Sequence, residues 1–117
     1  MSDGTPLQPD DSYFKVARLE DLTEGEGTIV RAGVKKLALF LKDGELFCIQ
    51  NFCPHAGAFL GLGDVKGCIV RCPRHSSGFD FTTGACVTNP RYDVKRYATK
   101  VEDGWVLVGI PDDGNLI

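Results

Sequence analysis

Two short segments each join a thiol to an imidazole: Cys53-Pro54-His55 and, after sixteen intervening residues, Cys72-Pro73-Arg74-His75. His55 and His75 are the two histidines of the chain. If the segments form facing loops, two thiolates and two imidazoles meet at one point, and three chemistries would use some or all of them. A closed tetrahedral zinc site takes two sulfurs and two nitrogens, but its usual spacing pairs cysteine with cysteine and histidine with histidine. Here each segment mixes the two types. A Cys–His nucleophile needs one of each and a third orienting group, which leaves the second pair unexplained. An iron–sulfur cluster with unequal irons uses all four, with the thiolates on one iron and the imidazoles on the other.

The flanking sequence supplies rigid supports for such loops. Lys36 to Lys42, Asp43-Gly44 and Glu45 to Asn51 predict a β-hairpin, because Asp-Gly between two alternating apolar runs is a strong two-residue turn signal. Its second arm runs directly into Cys53. Residues 52–67 contain four glycines and predict loops in which backbone N–H groups can come close to an inorganic sulfide. Cys68 to Arg71 predicts a strand that feeds the second segment, and Phe79 to Phe81 a strand that leaves it toward the Thr82-Thr83-Gly84 turn. Tyr13 to Arg18 and Gly27 to Arg31 are short strand patterns. After Pro90, a long β pattern from Tyr92 to Val101 turns at Asp103-Gly104 and returns as Trp105 to Ile110. Residues 1–11 and 111–117 read as polar tails. No stretch sustains a helical period, so the expected fold is all-β and antiparallel.

At 117 residues the chain fits one domain, 1–117, large enough to bury a core without staples. No apolar run approaches the length of a membrane-spanning helix, and residues 1–12 are acidic and contain proline, unlike a signal peptide. A soluble, cytoplasmic protein is expected. Charge is uneven: residues 61–100 hold seven basic side chains against three acidic, and residues 1–30 hold two against seven, within a net charge of −3. No motif for nucleic-acid binding accompanies the basic residues; an acidic face on a protein partner, or plain solvation, accounts for them. The acidic run Glu20, Asp21, Glu24 and Glu26 reads as a solvated face, with a docking patch as the alternative. Cys48, Cys68 and Cys86 lie in apolar contexts and read as small buried hydrophobes.

In type, order and spacing, Cys53, His55, Cys72 and His75 resemble the ligand motif of the Rieske family, and the resemblance extends through Leu60, Gly78-Phe79-Asp80, Thr83-Gly84 and Pro90, covering about residues 45–110. It implies one [2Fe-2S] cluster per chain, held by those four residues. It also implies an antiparallel β-sandwich base from about 12–50 and 91–110, with a small cluster-binding subdomain at about 51–90. His55 and His75 would be the electron outlet. High-potential members carry a disulfide between the two loops, but the corresponding positions here are Ala58 and Arg74. Those members also have a serine two positions after the second histidine and a tyrosine four positions after, both tuning the potential; here these are Ser77 and Phe79. Ser76, where glycine is usual, and Phe59, where proline is common, are departures.

The resemblance further implies a protein that is not itself an enzyme. It would carry single electrons from an NAD(P)H-dependent flavoprotein reductase to a terminal oxygenase. The Rieske-like small subunit of an assimilatory nitrite reductase is the alternative within the fold, and a zinc-stabilised or metal-free binding module the alternative outside it.

Overall fold

The computed structural model describes residues 12–53, 58–73, 77–88 and 92–110. These form ten strands: β1 (Ser12–Arg18), β2 (Gly27–Ala32), β3 (Lys35–Lys42), β4 (Glu45–Gln50), β5 (Asp64–Lys66), β6 (Ile69–Arg71), β7 (Gly78–Asp80), β8 (Ala85–Cys86), β9 (Arg96–Glu102) and β10 (Trp105–Ile110). Single 3-10 turns lie at Leu19–Asp21 and Leu60–Leu62. One sheet has the order β1-β10-β9-β4-β3-β2 and the other β5-β6-β7-β8. Every strand pair is antiparallel. The six-stranded sheet curls until β1 lies against β2, which leaves little open edge.

Both expected hairpins form. Asp43 and Gly44 have φ of 53° and 79°, and Asp103 and Gly104 have 53° and 80°, so both residues of each turn are left-handed, as the turns that match strand twist require. The carboxylate of Glu24 accepts from the backbone N–H groups of Asp43 and Gly44, and Glu20 pairs with Arg18 at 3.3 Å. Part of the acidic run is therefore engaged in holding turns.

The β3–β4 hairpin is a wall with a core on each side. Successive strand residues point to opposite faces. Leu37, Leu39 and Cys48 pack with Val30, Ala32, Tyr97, Val106 and Val108 inside the curled sheet. Ala38, Phe40, Phe47 and Ile49 pack outward against Leu60, Val70, Phe79 and Phe81 of the second layer. Burial on both faces explains why β3 reads as a continuous apolar run. The tightest join between the layers is Phe81, stacked on Phe40 at 4.4 Å between centroids and 4° between planes and tilted against Phe47 at 5.5 Å.

Three local expectations need correction. Residues 92–95 are not strand, and β9 begins only at Arg96. Val94 N–H is given to the Gly84 carbonyl at 2.7 Å and Lys95 N–H to the Gln50 side chain at 3.0 Å, so loop contacts replace a ladder. β5 and β8 were not expected; with three and two residues they are too short to show a period. Cys48 and Cys86 are buried as expected, but Cys68 is only partly so.

The turn after β7 is built by Asp80, whose Oδ1 accepts from Thr82 N–H at 2.9 Å and from the Thr82 hydroxyl at 2.6 Å, and whose carbonyl accepts from Gly84 N–H at 2.7 Å. Arg96 reaches across from β9 to the Thr82 carbonyl at 3.0 Å. Gly84 has φ +84°, and a Cβ there would stand 2.5 Å from the Val94 carbonyl oxygen. Gly84→Ala is therefore expected to destabilise the fold by more than about 1 kcal/mol, since strain and a backbone clash add. Chemical denaturation measures this, and an unchanged midpoint would show that the turn relaxes freely.

Candidate metal centre

The described ends of the two Cys–His segments are held in the same way. Phe52 pairs with Phe59 across an antiparallel bridge, and Arg71 pairs with Gly78 in the β6–β7 ladder. Inside each pair the cysteine N–H closes the loop: Cys53 donates to the Ala58 carbonyl at 2.8 Å, and Cys72 to the Ser77 carbonyl at 2.8 Å. Each cysteine thus sits at the first position of a six-residue loop, where a strand has just ended and the backbone is still held. Cys53 is 1% exposed and Cys72 4%, and both belong to the same buried cluster with Leu60, Val70, Phe79 and Phe81.

His55 and His75 lie outside the described residues, as do Pro54, Arg74 and Ser76. Among the described residues no three metal-binding side chains converge. Two buried thiols presented from matching loops nevertheless fit the sulfur half of a cluster with unequal irons, because soft thiolates removed from water are the donors that iron–sulfur clusters require. Among the described residues no cysteine is in a disulfide. Ser77 ends the second loop through its carbonyl, and the Phe79 ring is wholly buried in β7.

Of the glycines of the first loop region, Gly57 lies outside the described residues, and Gly63 answers a close approach within the fold. A Cβ at Gly63 would lie 2.1 Å from the Arg71 carbonyl oxygen, so glycine is required there by the approach of one backbone to another. Of the phenylalanines, Phe79 and Phe81 are core. Phe52 and Phe59 are 48% and 36% exposed and meet edge to face at 5.3 Å beside the first loop, with the Lys36 ammonium 5.8 Å from the Phe59 ring.

Sequence reasoning missed the residues that hold the first loop from below. The Gln50 side chain donates to the Phe52 carbonyl at 2.9 Å and accepts from Lys95 N–H at 3.0 Å. The Asn51 carbonyl accepts from Leu60 N–H at 2.6 Å and its Oδ1 from Gly61 N–H at 3.0 Å. A pair of carboxamides, separated from the first cysteine by Phe52 alone, is the available signal.

Strand direction places the charges. β9 starts beside the end of β4, with Ile49 opposite Arg96, so the Asp43-Gly44 and Asp103-Gly104 turns lie together at the end away from the loops. Glu45, Glu102 and the Leu19–Asp21 turn, tied to Gly104 through Leu19 N–H at 2.9 Å, share that end. Lys35, Lys36, Arg71 and Lys95 lie at the loop end.

Residues 12–98 match the sequence model of the Rieske [2Fe-2S] domain. The chain belongs to the Rieske family. It is 32% identical over 98 residues to the ferredoxin component of the naphthalene 1,2-dioxygenase/salicylate 5-hydroxylase systems of Ralstonia sp, spanning 83% of this chain and 94% of that protein. Among solved structures it resembles the Sphingomonas yanoikuyae B1 ferredoxin, with a TM-score of 0.78 and 33% identity over 86% of this chain and 100% of the other. A structure assigned as the NADH-dependent nitrite reductase small subunit of Mycobacterium tuberculosis has a TM-score of 0.79 at 26% identity, over 86% of this chain and 96% of the other. This Rieske protein is an electron carrier of the ferredoxin type and not a catalyst; the nitrite reductase subunit fits less well, and a zinc module has no support from the family. No helix among the described residues is long and apolar enough to cross a membrane.

Proposed function

We propose that this Rieske protein is the soluble, cytoplasmic ferredoxin of an oxygenase system. It holds one [2Fe-2S] cluster on Cys53, His55, Cys72 and His75, receives electrons from an NAD(P)H-dependent flavoprotein reductase and delivers them to a terminal oxygenase. The observation that carries this reading is the pair of matching loops, each starting with a buried cysteine whose N–H closes the loop at 2.8 Å. The bound cluster supplies a one-electron couple; the chain supplies its ligands, its dry seat and a surface for partners. In this reading the six-stranded sheet is the base, and residues 51–90 form the cluster-holding part of a single domain. Iron and sulfide analysis with EPR of the reduced protein tests it. Two irons and two sulfides per chain with a rhombic signal are expected, whereas a colourless, zinc-containing protein sinks it.

The exposed Phe52–Phe59 pair, with Lys36 over the Phe59 ring and Arg71 and Lys95 at the same end of the fold, is the face for an acidic partner. Electron-transfer rates to the oxygenase should fall several-fold between low and moderate ionic strength, and Lys36→Glu or Lys95→Glu should reproduce much of that fall at low salt. Arg74, which lies outside the described residues, belongs to the same test. Rates independent of both salt and these charges would assign the basic residues to solvation alone.

Ser77 and Phe79 set the potential in this reading. A hydroxyl donating to sulfur favours the more negative, reduced state, and a hydrogen bond to a charged acceptor contributes roughly 1.5 kcal/mol or more, which for one electron is on the order of 60 mV. Ser77→Ala should lower the midpoint by that order and Phe79→Tyr should raise it. Voltammetry of the two variants checks both, and an unmoved midpoint in Ser77→Ala removes Ser77 from the tuning set.

A further inference from the structure

Asn51 is the only fully buried polar side chain among the described residues, with 0% exposure. It continues the alternation of β4 two residues before Cys53, on the parity of Phe47 and Ile49, both of which pack with Cys53 in the outer core. Its Oδ1 accepts from Gly61 N–H at 3.0 Å. That bond fixes which end of the carboxamide is which, because the opposite orientation would set an NH2 group against an N–H donor. The approach is close: a Cβ at Gly61 would stand 2.5 Å from Ile29 and 3.1 Å from Asn51 Oδ1. The other end, Nδ2, is buried and has no hydrogen-bond partner among the described residues.

A buried donor without an acceptor is costly, and native interiors rarely keep one. Leucine would fill the same volume without that cost, so an amide at this place points to an acceptor that the described residues do not themselves supply. The acceptors that the cluster reading places at the loop it supports are sulfurs. We propose that Asn51 Nδ2–H donates to a sulfur of the bound cluster on its cysteine side, while Oδ1 holds the exit of the first loop. One side chain then couples loop position to redox potential, since a donor on sulfur stabilises the reduced, more negative state. The inference rests on the cluster reading above.

The test uses the cluster-loaded full chain. Wild-type protein labelled with 15N in the asparagine side chains, reduced and measured by pulsed EPR, should show a weak nitrogen coupling from Nδ2 that Asn51→Leu and Asn51→Asp lack. Both variants should have a lower midpoint, by about a tenfold shift of the one-electron equilibrium, which is about 59 mV. Asn51→Asp retains an acceptor for Gly61 N–H and loses the donor, so a lowered midpoint in Asn51→Leu alone would assign Asn51 to loop holding and overturn the proposal. Absence of the 15N coupling in wild-type protein overturns it whether or not the variants fold. A wild-type protein without iron and sulfide instead refutes the cluster reading, a separate outcome.

Discussion

Replacing Cys53 or Cys72 with serine should abolish the visible absorption of the cluster, because a neutral hydroxyl is a far poorer iron ligand than a thiolate. A metal site assembled on folding also contributes its binding free energy to stability, so the melting temperature should fall with the colour. The structure limits how far the damage spreads. The second layer is held by Leu60, Val70, Phe79 and Phe81, each at most 1% exposed, and by the Arg96 bond to the Thr82 carbonyl. The serine variants should therefore keep their β-type circular dichroism. Amide exchange should quicken at Cys53 and Cys72, whose N–H groups close the loops, and stay slow at Val70 and Phe79. A normal spectrum in either variant refutes the ligand assignment, and global unfolding would show that the apolar join is weaker than its burial indicates.

Phe81→Ala should have the largest effect of any substitution outside the four ligand positions Cys53, His55, Cys72 and His75. The ring is 1% exposed and lies between Phe40 and Phe47 of the hairpin wall. Truncating a buried phenylalanine costs about 3–5 kcal/mol through lost transfer energy and the cavity left behind. For a domain of this size that lowers the melting temperature on the order of 10 °C or more. Because the ring joins the two layers, the loss should also appear as faster release of iron under chelation, with β1 and β10 little affected in amide exchange. Phe81→Leu should recover part of the stability. If Phe81→Ala melts within a few degrees of the parent, the layers are joined mainly by the hydrogen bonds around Asp80 and Arg96.

Much of this fold is legible in the sequence. The two Asp-Gly turns locate both long hairpins, because a turn with two left-handed residues has few sequence solutions. The first cysteine follows directly from the arm of one of them. The apolar run of β3 marks a strand but not that it is covered on both faces; a local pattern cannot show that a second layer will dock. The extension of strand back to Tyr92 failed for a related reason. Its residues have β character, but Val94 and Lys95 give their N–H groups to Gly84 and Gln50, partners distant in the chain. The role of Asn51 is only hinted at by its place beside Gln50, because its neighbour Gly61 and its burial are both tertiary facts.

The separation of charge along the strands has a mechanical consequence. Acidic groups outnumber Arg18, Lys42 and Lys100 at the turns holding Asp43 and Asp103, and Lys35, Lys36, Arg71 and Lys95 outnumber Asp64 at the opposite, loop-bearing end. A body charged in this way experiences torque in the field of a negatively charged protein, on top of any net attraction or repulsion. Within about a Debye length, near 8–10 Å at physiological salt, it rotates before it touches, and the loop end leads. The net charge of −3 opposes approach to an acidic surface as a whole, while the torque selects the one orientation in which the distance from the buried cysteines to the partner is short. The rotational search is thus shortened without strong binding, and weak binding lets a carrier leave once its electron has gone.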